Sequence, residues 1–391
     1  MDIAGLDIGK SIVVYRLNSD TNTNNPRELL REGKFLKCEP TRHGIDRCLQ
    51  FLSGCKMAIL EPTGSYSKIW IHHLRGAEIE VKIVRHDRIA PYRKNLDLPD
   101  KNDKADALAL ALYLREHHDK PHRFVFGRDE ATEQIRTKVL RLSSYARLRS
   151  GLIARIKGLL AEEFPEQMNY RVSRAVGAKI PLFWRWIVGD AESEKIELKQ
   201  QVSVGKGLGE DTLVYARALC AFYDREAVIE SELLELMEQP QYLPYLQCFD
   251  AFGLGLRTRA ILLSQIYPIE KYLNEIGKPD RESKGEYWRD FSLRRFKKSL
   301  GMAPYHFASG EGATRFVASG SGYCRQALLM SVLVRVEVKR NRLDNRFFQS
   351  VSSYFDKLKN QEMPAKKRRF KTAAKLAEMI YYYLLISSHN K

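Results

Sequence analysis

Short apolar runs rich in β-branched and aromatic residues open the chain. "IAGLDIG" and "SIVVYRL" predict two strands joined by a tight turn, and "REGKFLKCEP" contains a third strand. The spacing then turns helical in "HGIDRCLQFLSG", extended in "CKMAILEPTG", helical in "YSKIWIHHLRG" and extended in "EIEVKIVRH". A loop is expected next, followed by the helix "KADALALALYLREH". A strand hairpin followed by alternating strands and helices predicts an α/β domain on a mixed sheet over residues 1–125.

Beyond that point the period changes. In "IRTKVLRLSSYARLRSGLIARIKGLLAEEF" the apolar residues recur at three and four positions with arginine and lysine between them. Two readings stand side by side: a core helix hairpin, or a basic coiled coil that joins two copies and lies along a polyanion. Residues 170–245 read as mostly helical and carry no motif. In "FDAFGLGLRTRAILLSQI" a Gly-Leu-Gly turn separates two helical segments, with Arg257 and Arg259 opening the second. Exposed N–H groups at such a helix start can receive a phosphate, although an ordinary helical turn has the same sequence signature. From about residue 280 a glycine- and serine-rich loop lies between basic helical segments, and "KKRRFK" precedes a last apolar helix. The expected division is 1–125, 126–245 and 246–391, because 391 residues exceed one ordinary core.

Charge narrows the partner. Sixty-five Lys and Arg against 48 Asp and Glu leave a net +17, the footprint of a protein that works on polyanions. The apolar runs fall short of the roughly 18 residues that a membrane-spanning helix needs, so nucleic acid is the expected partner rather than a bilayer. The six cysteines have no CxxC spacing, which argues for reduced, mostly buried thiols and a cytoplasmic location rather than a zinc site or disulfide frame.

Gly9-Lys10-Ser11 invites a phosphate-loop reading, but Ala4 occupies the position where that loop needs glycine, and a strand rather than a helix follows. The unusual residue here is Asp7, an acid among apolar neighbours, costly to bury unless something positive binds it. Glu61 ends a central strand, and Asp103 and Asp106 share one face of a helix start. Singly each acid has a bland explanation, solvation or, for Asp103 and Asp106, helix capping. Gathered at one edge of a sheet, four carboxylates repel one another unless hard divalent cations such as Mg²⁺ or Mn²⁺ neutralise them, and that chemistry suits phosphodiester cleavage.

"IAGLDIGKS", "LEPTGSY", "VKIVRHDRIAPYRKNLDLPDKNDKADALALALY" and "SLGMAPYHFASGEG" together resemble the Piv/MooV DNA invertase and insertion-sequence 110 transposase family. The resemblance implies an N-terminal RuvC-like, RNase H-like domain, a coiled-coil connection and a mainly α-helical C-terminal transposase domain. It implies a metal-binding tetrad at Asp7, Glu61, Asp103 and Asp106, with Mg²⁺ or Mn²⁺ as cofactor, and a nucleophilic serine at Ser309. It further implies DNA recombination by a dimer or tetramer, with a guide RNA made from the mobile element. Two departures matter: the family's lysine and asparagine are missing from "VASGSGYCRQAL", and Arg325 lies closer to Ser309 than usual. Ser319 and Ser321 therefore stay open as alternative nucleophiles. Arg315 and Arg325 suit stabilisation of charge on a phosphoryl group. The competing reading keeps the fold but makes the protein a metal-dependent nuclease of the junction-resolving kind, with no covalent intermediate.

Overall fold

The computed structural model describes residues 2–19, 25–98, 102–125, 127–170, 180–283, 285, 288–307 and 315–389. They belong to two compact units, Met1–Gly127 and Arg128–Lys391.

The first unit is built on a mixed five-stranded sheet of β1 (Ile3–Ile8), β2 (Ile12–Leu17), β3 (Phe35–Cys38), β4 (Met57–Leu60) and β5 (Glu80–Ile83), in the order β3-β2-β1-β4-β5. The first three strands form an antiparallel meander, whereas β4 runs parallel to β1 and β5 parallel to β4. Five helices complete it: α1 (Pro26–Glu32), α2 (Arg42–Phe51), α3 (Tyr66–Gly76), α4 (His86–Asn95) and α5 (Asp103–His117).

Side chains alternate across a strand, and here the two faces bury different cores. Ile3, Val13, Tyr15, Met57 and Ile59 pack against the run from Ala107 to Leu114 of α5. Leu6, Ile8, Ile12, Val14 and Leu60 pack on the opposite face, against Ile45 and Cys48 of α2 and Trp70 and Leu74 of α3. The α5 face is very close to the sheet at Gly5, where a Cβ would collide with the Ala107 carbonyl and come 2.5 Å from the Ala111 nitrogen. Only a glycine lets that helix lie so near the central strand.

Helix α4 occupies the stretch expected to be a loop. Pro91 inside it argues against a helix locally. Tertiary burial of Ile89 and Arg93 outweighs that local preference, with α4 packed on α5.

The second unit is mostly helical. Its helices are α6 (Glu130–Glu163), α7 (Leu182–Ile187), α8 (Glu194–Gln201), α9 (Glu210–Met237), α10 (Leu243–Ala251) and α11 (Leu256–Ile266). There follow a hairpin of β6 (Arg281–Ser283) and β7 (Trp288–Asp290), then α12 (Phe291–Ser299) and a second hairpin of β8 (Ala303–Phe307) and β9 (Arg315–Ser319). Helices α13 (Gly322–Ser331), α14 (Arg346–Asn360) and α15 (Ala365–His389) end the chain. The pairing of β8 with β9 corrects the expectation of a plain loop between basic helices: "APYHF" and "RFVAS" are too short to register as strands alone, and cross-strand pairing holds them.

The basic heptad-like segment is one continuous helix, started by Asp129, whose carboxylate accepts the Thr132 N–H at 2.7 Å. It pairs within the chain with α9, and the ion pairs Lys138–Glu232 and Arg149–Glu226 fix the two helices antiparallel. Ile135, Val139 and Leu142 join the large core of the unit. Ile156 and Leu160 join a separate small core with Phe183, Trp184 and Tyr223. All six cysteines are buried free thiols. No helix among the described residues is long and apolar enough to cross a membrane.

Candidate acidic site

Asp7 is the penultimate residue of β1, and Glu61 directly follows β4. Because Leu6 pairs with Leu60 in the parallel register, the two acids are neighbours on adjacent strands at the carboxyl edge of the sheet. Their odd positions place them on the face covered by α5. Asp103 and Asp106 occupy the first turn of that same helix, which Asn102 starts by accepting the Ala105 N–H at 2.8 Å. Sheet pairing thus makes Asp7 and Glu61 neighbours, and Asp103 and Asp106 begin the helix that packs on the same sheet.

Two of these acids are already matched by cations from α4. Glu61 Oε2 lies 2.8 Å from His86 Nδ1, and His86 Nε2 lies 2.8 Å from the Pro62 carbonyl. A carboxylate and a carbonyl both accept, so this arrangement favours a proton on each ring nitrogen of His86. The hydrogen bond to Glu61 raises the His86 pKa, in keeping with that charge. At the other end of the helix, Arg93 Nε stands 3.0 Å from Asp106 Oδ1, with only 7% of the arginine side chain exposed. Asp103, by contrast, is exposed.

Among the described residues no three His, Cys, Asp or Glu side chains converge closely enough to hold a metal ion. The donor chemistry, oxygen only, suits a hard dication, and Asp7, Glu61, Asp103 and Asp106 are the residues that would hold it. In this arrangement His86 and Arg93 are the cations beside Glu61 and Asp106. Neither residue was singled out from the sequence. The signal was faint: Arg93 follows the buried Ile89 by one helical turn, on the face that meets α5.

The remaining candidates lie in the second unit. Ser309 falls in 308–314, outside the described residues, and Arg315 opens β9 with its side chain outside them as well. Ser319 closes β9. The Ser321 hydroxyl caps α13 by accepting the Cys324 N–H at 3.2 Å, which gives that serine a structural task. Arg325 Nη1 donates to the Gly301 carbonyl at 3.4 Å.

The glycine turn exists, with Gly253 at φ +60°. Its two arginines are held within the unit. Arg257 donates to Glu230 at 2.6 Å and to Glu226 at 2.5 Å. Arg259 pairs with Asp250 at 2.6 Å and donates to the Leu254 carbonyl.

Residues 4–165 match the family model of the DEDD transposases of insertion sequence 110, described as a transposase. The matched span holds all four acids, His86 and Arg93. No curated protein matches the chain.

Proposed function

We propose that the protein is a transposase that cuts and rejoins DNA, using the acids of its first unit and a serine of its second. The observation that carries this reading is the placement of Asp7 and Glu61 side by side at the ends of two parallel strands, under the helix that begins with Asp103 and Asp106, within the span similar to DEDD transposases. An antiparallel meander extended by parallel strands supports an RNase H-like, RuvC-like assignment for this domain. The net charge of +17 supports a polyanionic substrate.

In this mechanism Asp7, Glu61, Asp103 and Asp106 would hold Mg²⁺ or Mn²⁺, which when bound would supply positive charge to the phosphodiester. Ser309 is the nucleophile. Its hydroxyl loses a proton and attacks the phosphorus, and the bond to one deoxyribose oxygen breaks. That oxygen leaves and takes up a proton. The phosphoserine ester so formed keeps one phosphate ester bond for another, so attack by a new strand hydroxyl can rejoin DNA with no outside energy source. Arg315 and Arg325 stabilise charge on the phosphoryl group. Residues 126–245 serve as the helical connection and 246–391 as the domain that presents the serine. The working form is a homo-oligomer, with an element-encoded RNA selecting the DNA.

The test is a search for detergent-resistant protein–DNA adducts in cells carrying the gene with its native flanks, comparing the parent with Ser309→Ala. Adducts in the parent alone support the serine mechanism. Cut DNA without adducts in either protein replaces it with metal-dependent hydrolysis.

A further inference from the structure

Trp288 opens the second strand of the β6–β7 hairpin with 69% of its surface exposed, whereas Trp70 and Trp184 are 2% and 0% exposed. One exposed aromatic is ordinary on a protein surface. The basic helix directly after it is less ordinary. Asp290 caps α12 at the end of this strand, and α12 carries four cations and no acid. Its inner face buries Ser292 and Phe296. Of the four cations, Arg295 pairs with Asp280 at 2.9 Å and Lys297 with Glu378 at 3.7 Å. Arg294 and Lys298 are exposed and have no ion pair among the described residues. They lie one turn apart on the outer face, about 6 Å along the axis. Arg289, the next residue of the strand, is also exposed but points to the opposite face of the hairpin from Trp288, its guanidinium 5.3 Å from the Phe291 ring.

The last turn of α12 is tied to the base of the β8–β9 hairpin. The Gly301 N–H bonds to the Lys298 carbonyl at 3.0 Å, and Gly320, at φ +99°, lies so close to that carbonyl that a Cβ there would collide with it. An exposed indole thus stands just before a basic helix whose last turn meets the base of β8 and β9.

We propose that Trp288 stacks on an unpaired base of a DNA strand opened around the cut, with Arg294 and Lys298 holding that strand's phosphates. This rests on the reading of the protein as a transposase. Stacking on an indole needs a free base face, which an intact duplex hides, and unpaired phosphates need cations that are not already matched. A protein partner would be expected to meet an apolar patch around the tryptophan, and its cross-strand partner is Ser283 instead, with the basic α12 directly after the strand.

The experiment uses the full chain and a single-stranded DNA oligonucleotide, followed in two ways: anisotropy of a labelled strand, and quenching of tryptophan emission by an unlabelled one. Anisotropy reports binding, and quenching reports where the base sits, since Trp288 is the most exposed indole. The expected result is quenching in the parent and none in Trp288→Ala. The affinity of Trp288→Ala should fall on the order of ten-fold for the single strand and little for duplex, with most of it restored by Trp288→Phe. Arg294→Ala with Lys298→Ala should weaken binding and flatten its salt dependence. Binding without quenching, equal loss for duplex, or tighter capture of an RNA strand of the same sequence would overturn the proposal. So would an emission change with protein concentration alone, which would mark a contact between copies. Adducts formed without quenching sink only this inference, and quenching without adducts or cleavage sinks only the transposase reading.

Discussion

Arg93 and Asp106 face each other between α4 and α5, Nε to Oδ1 at 3.0 Å, with 7% and 20% of their side chains exposed. A charge so enclosed is tolerated because its partner is in place, and removing one member leaves the other stranded. Arg93→Met is expected to destabilise the first unit by about 3 kcal/mol, and Arg93→Met combined with Asp106→Leu by less than the sum of the two single changes. Urea unfolding of the four proteins measures the coupling. Strict additivity would mean that the pair does not act as one.

Asp7→Asn keeps the shape of the side chain and removes its charge. DNA cleavage should fall on the order of a hundred- to a thousand-fold, while affinity for DNA stays within about two-fold of the parent. The stabilisation that Mn²⁺ gives the parent in a thermal melt should shrink in the variant. Parallel loss of binding and cleavage would remove Asp7 from the metal site.

Arg257 offers a choice between two roles. It donates to Glu226 and Glu230, which are 0% and 2% exposed, and Arg149 reaches the same Glu226 at 3.2 Å. This ties α6, α9 and α11 together. Arg257→Ala should cost the second unit about 3 kcal/mol, because two buried carboxylates lose a cation. A role on nucleic acid predicts instead an unchanged melting temperature and a shallower salt dependence of DNA binding. Measuring both on one variant separates them.

Lys271 donates to the Gln265 and Tyr267 carbonyls at 2.7 and 2.9 Å, and burial lowers its pKa from 10.5 to about 7. Between those two values the unfolded chain holds the proton and the folded chain has released it. Stability therefore rises with pH across that window, by at most about 1.4 kcal/mol per pH unit, and the burial cost is largest below pH 7. The difference in unfolding free energy between the parent and Lys271→Met, followed from pH 6 to pH 10, should grow in favour of the parent. A flat difference would show that the two carbonyls hold the ammonium charged throughout.

Much of the first unit is legible locally. The β1–β2 hairpin, the strand that leads into Glu61 and the helix that begins at Asp103 all follow from runs of a few residues, because strand and helix periods are properties of sequence neighbours. The order of the four acids and the excess of basic charge belong to the same category, as does the buried, reduced state of the cysteines.

Other features depend on partners far apart in the chain. Pro91 argues against a helix, and α4 forms because Ile89 and Arg93 gain burial against α5. Glu61 meets His86 across 25 positions, and no periodicity links them. The strands beside Ser309 exist through pairing with each other, and α6 is matched to α9 by ions and apolar contacts within the chain. Gly5 looks replaceable in a strand until α5 is laid on it. Sequence alone determined the locally encoded elements, such as the β1–β2 hairpin and α5, and the kinds of chemical group they carry, since these are set by local propensity and composition. The tertiary structure decided which carboxylates are matched by a cation and which cations stay exposed, since burial and electrostatic pairing are set by proximity in space.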